Sequence, residues 1–168
     1  MSYTLKVLTS IGIAMMLSAS AAAQGLVMQR SMSLSMAKAI AEATLAECKS
    51  KGFTTAAAVV DRAGQVLVLL RDEQATSQVL EMARRKAYTA RMFRMPTAEF
   101  QKRTATDPSY AAQRDIADVL ALGGGMPIKI GDDTIGGVGS SGSSQTQDEA
   151  CAKAGIAKVA NLLTNSSN

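Results

Sequence analysis

The chain has 168 residues, a formal net charge of +4, two cysteines and no histidine. Mild basicity without a basic run interleaved with aromatics is not a nucleic-acid footprint. Lacking histidine, the chain has no Ser-His-Asp triad and lacks the commonest general base, and two cysteines are too few for a structural zinc site.

At the start, Lys6 precedes the apolar run "VLTSIGIAMML", followed by the small-residue stretch "SASAAAQG". That order is the charged, apolar, small-residue sequence of a secretory signal peptide, with A-x-A sites ending at Ala21 or Ala23. The apolar part is roughly 11 residues, against ~20 for a bilayer span, so cleavage rather than anchoring is expected. Residues 1–23 are read as the signal and residues 24–168 as one domain of about 145 residues. Loss of Lys6, with no acid, takes the charge from +4 to +3. Cleavage leaves no stable membrane anchor, and the mature chain is expected in the periplasm or outside the cell.

"SLSMAKAIAEATLAECKSKG" repeats apolar residues at Leu34, Ala37, Ala41, Leu45 and Cys48, the spacing of a helix stopped at Gly52. "FTTAAAVVDRAGQVLVLLRD" reads as two antiparallel strands around "DRAG", both apolar enough for a sheet covered on both faces. "SQVLEMARRKAYTARMF" is a second helix whose buried stripe is Val79, Leu80, Ala83, Ala87 and Ala90. Pro96 ends it, and Thr97 is expected to cap a short helix through "AEFQKR". "TDPSYAAQRDIADVLA" is a polar connector with helical patches.

"GGGMPIKIGDDTIGGVGSSG" gives strand, turn and strand, with "GDDT" as the reversal. The last helix is expected to open on a capping box of Thr146 and Glu149, and "NSSN" is a frayed tail. Helix, hairpin, helices, hairpin and helix make one α+β domain, an antiparallel sheet with helices packed on it. Cys48 lies late in the first helix and Cys151 early in the last. In an antiparallel pair their sulfurs share a level, which suits either a disulfide or two buried thiols.

Gly137, Gly139 and Gly142 spell G-x-G-x-x-G, the dinucleotide signature. That signature needs a second parallel strand with an acid about 20 residues on. Here that position reads "NLL", and Asp148 and Glu149 in the first helical turn repel a pyrophosphate. The glycines are therefore assigned to strand packing and a loop. Gly123, Gly124 and Gly125 leave a strand entrance bare, as a tight crossing or as a pocket floor.

Four motifs, "VVDRAGQVLVLLR", "ARRKAYTA", "GGGMPI" and "IGGVGSSG…QDEACAKAG", together resemble the GlcG/HbpS family, related to the C-terminal domain of PduO. The likeness runs from about Leu34 to Ala160. It implies a profilin-like fold with a five-stranded antiparallel sheet, a homo-oligomer and heme as cofactor, in a role of heme capture or uptake. Some members are labelled heme-degrading, and no residue here is assigned a catalytic role. The histidine through which some relatives ligate heme iron has no counterpart in this chain.

On the second helix, Arg84, Tyr88, Arg91 and Met95 fall at i, i+4, i+7 and i+11, along one face. One reading makes Tyr88 the ligand of ferric heme, its phenol acidified by neighbouring cations, with Arg84 and Arg91 on the propionates. The other is a solvated helix face carrying an amphipathic tyrosine. Lys86 borders the alanine stripe and either snorkels to water or binds an anion, which makes an enzyme or binding protein for a small anionic metabolite, using Lys86 and the neighbouring arginines, the alternative. Met28, Met32 and Met36 recur every fourth residue, as adaptable packing, a subunit contact or soft copper or heme ligands.

Overall fold

The computed structural model describes residue 25 and residues 27–164. The expected signal segment and the "NSSN" tail lie outside the described residues.

Helix α1 (Leu34–Ser50) begins where the Ser33 hydroxyl accepts a hydrogen bond from the Met36 amide. Two hairpin strands follow, β1 (Ala56–Val60) and β2 (Val66–Arg71), then α2 (Ser77–Phe93) and α3 (Thr97–Thr106). The connector holds α4 (Pro108–Ala111) and a 3-10 turn (Ala112–Asp115). A second hairpin, β3 (Gly125–Ile130) and β4 (Asp133–Ser141), leads to α5 (Gln145–Ala157) and α6 (Ala160–Thr164). None of these helices is long and apolar enough to cross a membrane.

The strands form one antiparallel sheet in the order β2-β1-β4-β3. Val59 stands opposite Val138, so the two hairpins merge through their central strands. No parallel neighbour exists among the described strands, and the dinucleotide fold is excluded. Four strands are described where the resemblance implies five.

Side chains alternate across the sheet. Ala57, Val59, Val68, Ile128 and Val138 face the side covered by α1 and α5, where Ile40, Ala41 and Ala152 complete the larger core. Ala56, Ala58 and Val60 face α2 and pack on Ala83 and Ala87. β1 is buried throughout, as the apolar run implies. β2 is not. It is an edge strand with Val66 and Leu69 exposed, because α2 sits over the sheet centre and leaves the edge bare.

Three local expectations change. Thr97 is the first residue of α3 rather than its cap; its buried hydroxyl accepts from the Gly125 amide at 2.8 Å. The cap of α5 is Ser144, which accepts from the Gln147 amide, so the Thr146 and Glu149 box does not form. Leu34 stays exposed, and Ile40, outside the expected stripe, is buried in the core. Of the methionine stripe, Met32 is buried, Met36 packs against the core and Met28 is exposed.

Cys48 and Cys151 form a disulfide that ties α1 to α5 across 103 residues of sequence, with Cα atoms 5.6 Å apart. Of the two geometries the sequence allows, the bonded one is found.

Candidate functional site

Helix α2 lies unusually close to the sheet. A Cβ at Gly139 would collide with the Ala83 carbonyl, one at Gly137 with that of Ala87, and one at Gly125 with that of Lys86. Alanines on the helix and glycines on the strands thus let two backbones touch. This crossing fixes where every other α2 side chain emerges.

Lys86 emerges inward. Its Nζ donates to Asp148 Oδ2 and to the Ser140 carbonyl, both at 2.9 Å, and both side chains of the pair are sealed from water. Burial lowers its pKa, and Asp148 opposes that shift. The snorkelling expectation is corrected. The close crossing leaves no route to solvent, and Gly124, which has no side chain, opens the path to α5. Two of its three N–H donors are committed inside the protein, and its burial seals the ammonium from an incoming anion.

The glycine run is equally occupied. Gly123 N–H donates to Gln145 Oε1 at 2.8 Å, a Cβ on Gly124 would meet Asp148 and Lys86, and Gly125 is held by Thr97. Gly123, Gly124 and Gly125 form a tight crossing, not a pocket floor.

Arg84 makes a bidentate pair with Glu81 (2.8 and 2.7 Å) and reaches Asp118 at 2.6 Å. These carboxylates, Glu81 first, hold its pKa above the ordinary arginine range. Its charge is spent on protein acids, which removes it as a propionate partner. Met95 also leaves the set. Arg94 adopts a left-handed φ of 58° and ends α2, so the helical spacing does not extend to Met95.

Tyr88 and Arg91 remain together. The Tyr88 ring packs at the first hairpin turn, so close to Gly64 that a Cβ there would lie 2.9 Å from its ring edge and 3.5 Å from Met92 Sδ. The Tyr88 hydroxyl has no hydrogen-bond partner among the described residues. Exposed Val66 and Leu69 lie on the α2 side of the sheet, since they oppose Val60 and Ala58. Tyr88, Met92, Val66 and Leu69 therefore border the bare sheet edge.

One turn further on, Arg91 lines a cleft of about 500 Å³ with Gln29, Arg30, Ser31, Asp61, Arg62 and Ala63. Arg62 is fixed there by Asp133 (Nη1–Oδ1 2.9 Å, Nη2–Oδ2 2.5 Å) and by the Arg30 carbonyl at 3.0 Å. Arg91 Nε is buried without a partner among the described residues. Burial first, then repulsion from Arg62 and Arg94, lowers its pKa from the ordinary arginine value.

The helix spacing pointed to Tyr88 and Arg91, but Arg30, Arg62, Asp61 and Asp133 were missed. For Asp61, Arg62 and Asp133 the signal was present in "DRAG" and "GDDT", two turns that meet only when β1 pairs with β4, whereas Arg30 carried none. No group of three or more His, Cys, Asp or Glu that could hold a metal occurs among the described residues. For heme, the donors that fit are the unpartnered Tyr88 phenol and the unpartnered Arg91 guanidinium.

Residues 32–157 match the family described as haem-degrading protein HbpS-like. The chain belongs to the HbpS-like family. A double mutant of Streptomyces reticuli HbpS superposes with a TM-score of 0.75 at 37% identity, over 81% of this chain and 93% of that one. A PduOC–heme complex matches with a TM-score of 0.69 at 25% identity, over 77% of this chain and 95% of that one. An uncharacterized 15.0 kDa protein of Citrobacter freundii, from a dhaT-dhaS intergenic region, is 30% identical over 73% of this chain and 88% of its own. Recognition of the GlcG/HbpS family from four motifs is borne out. Heme-related binding is what this membership and the PduOC complex suggest.

Proposed function

We propose that this protein is an exported, homo-oligomeric module that binds heme or a related tetrapyrrole in heme capture or uptake. One observation carries the reading: Tyr88 and Arg91 stand one turn apart, both without hydrogen-bond partners among the described residues, beside the bare apolar edge of β2. A tetrapyrrole has an apolar plane, a metal centre and acidic side groups, and these residues offer a complement to each. Ferric heme accepts a tyrosinate axial ligand, a chemistry used in other heme proteins. Tyr88 is assigned to the metal, Arg91 to a propionate, and Val66, Leu69 and Met92 to the ring face. Arg84, paired to Glu81 and Asp118, has no part.

Export rests on the signal-like start of the sequence, and the Cys48–Cys151 disulfide agrees with an oxidising compartment. Self-association rests on the family resemblance and on Val27, Met28 and Leu34, exposed together ahead of and at the start of α1. The profilin-like description and its fifth strand rest on the resemblance alone. Mass spectrometry of protein isolated from its native host tests the reading. A copurifying tetrapyrrole and an amino terminus at Ala22 or Gln24 support it; a full-length chain with no tetrapyrrole counts against it.

A further inference from the structure

The cleft beside Arg91 carries chemistry that does not depend on heme. Nε of Arg85, Arg91 and Arg103 is each buried without a partner among the described residues, a costly state. Arg85 and Arg103 still bond through Nη2, whereas the Arg91 guanidinium makes no hydrogen bond among those residues. The base of the Arg91 side chain is fixed. Its backbone N and Cβ lie 3.1 Å from where a Cβ on Gly137 would be, so the helix–strand crossing pins the base of the side chain. Arg62 is held equally firmly, both its Nη atoms on Asp133 and its Nε on the Arg30 carbonyl. Arg30 is exposed, its guanidinium without a partner among the described residues.

Asp133 and Asp61 favour the charge of Arg91 from a distance, but their oxygens are engaged elsewhere. Asp133 is spent on Arg62, and Asp61 Oδ1 accepts from the amides of Ala63 (2.8 Å) and Gln65 (2.9 Å). Neither hydrogen-bonds Arg91. Gln29 and Ser31 add neutral donors on the remaining wall.

We propose that this cleft is a binding site for a small oxyanion, a carboxylate or a phosphate, with Arg91 as its principal ligand and Arg30 and Arg62 as flanking charges. A guanidinium fork fits either group in two parallel hydrogen bonds, which a lysine does not reproduce. The cleft volume lies within the usual range of small-molecule sites. A guanidinium whose Nε is already withdrawn from water gains from an anion that meets it in the cleft. The site stands whether or not the β2 edge takes a tetrapyrrole.

The test uses the purified protein without heme, observed through its arginine Nε–H resonances. Inorganic phosphate and succinate are titrated separately, with sodium chloride holding the ionic strength constant. A saturable shift of the Arg91 resonance is expected in at least one arm, and the arm that saturates names the class. Affinity falls at least about ten-fold in Arg91→Gln and less in Arg91→Lys, while Lys38→Gln leaves it unchanged. If Arg91→Gln does not fold, the Arg91 shift in the unaltered protein decides. No saturation in either arm, or saturation unchanged in a folded Arg91→Gln, overturns the proposal.

Discussion

The ammonium of Lys86 lies 2.9 Å from the carboxylate of Asp148, joining α2 to the first turn of α5 with both side chains shielded from solvent. Asp148 completes its shell with the Ser143 amide (3.2 Å) and hydroxyl (2.7 Å), and Lys86 with the Ser140 carbonyl. A buried pair of this kind adds little net stability over an apolar substitute, yet removing one partner strands a charge. Asp148→Ala or Lys86→Met alone should therefore cost about 3–5 kcal/mol in urea unfolding. The double variant Lys86→Met with Asp148→Ala should lose less than the two single costs added together. Simple additivity would show that the pair is not coupled.

The contact between α2 and β4 depends on what Gly139 lacks. Gly139→Ala drives a methyl into the Ala83 carbonyl, backbone against backbone, whereas the space beside Gly131 is open. Gly139→Ala is expected to destabilise by at least about 2 kcal/mol, the range of forced overpacking. Gly131→Ala should cost only about 1 kcal/mol, for its φ of 58°. Equal midpoints for both in chemical unfolding would remove the close crossing from the account.

Periodicity made α1, α2 and both hairpins legible, because a stripe of alanines or a run of valines reports burial directly. Caps were harder: Ser144 and Thr146 are both good capping residues, and only the entry angle of the chain selects Ser144. The alanine stripe placed Ala83, Ala87 and Ala90 correctly but misled on Lys86. Nothing local says that a lysine's partner waits 62 residues later on another helix. Spacing on α2 named Tyr88 and Arg91 and equally named Arg84, whose partner Asp118 comes from the connector. Half of the cleft was invisible for a plainer reason. Asp61, Arg62 and Asp133 become neighbours only through the strand order β2-β1-β4-β3.

The Cys48–Cys151 bridge closes a long loop, and loop closure restrains the unfolded chain. In the chain-entropy model a loop of roughly 100 residues corresponds to about 4–5 kcal/mol. Thiol titration in denaturant should find no free thiol before reduction and two after it. Reduced protein, or Cys48→Ser with Cys151→Ser, should unfold at a markedly lower urea concentration. Two titratable thiols in protein isolated from an oxidising compartment would contradict the bridge.

The hydrogen bond from Arg62 lowers the pKa of Asp133 from its ordinary 3.8. Because the folded pKa lies below the unfolded one, this contribution is complete above about pH 4. It is lost as the pH falls through the folded value. Asp72, held low by the Gln74 amide and then by Lys49, adds to the same acid limb. Thermal midpoints should fall steeply below about pH 4. Asp133→Asn should be less stable at neutral pH and show a shallower acid slope. An unchanged slope would mean that Asp133 is not paired with Arg62 in solution.

Hemin titration of the purified protein, followed at the Soret band, addresses the proposed function most directly. A saturable shift is expected, with affinity lowered about ten-fold in Arg91→Gln and the ferric spectrum altered in Tyr88→Phe. A response that stays linear in hemin, like free hemin in buffer, would contradict the assignment.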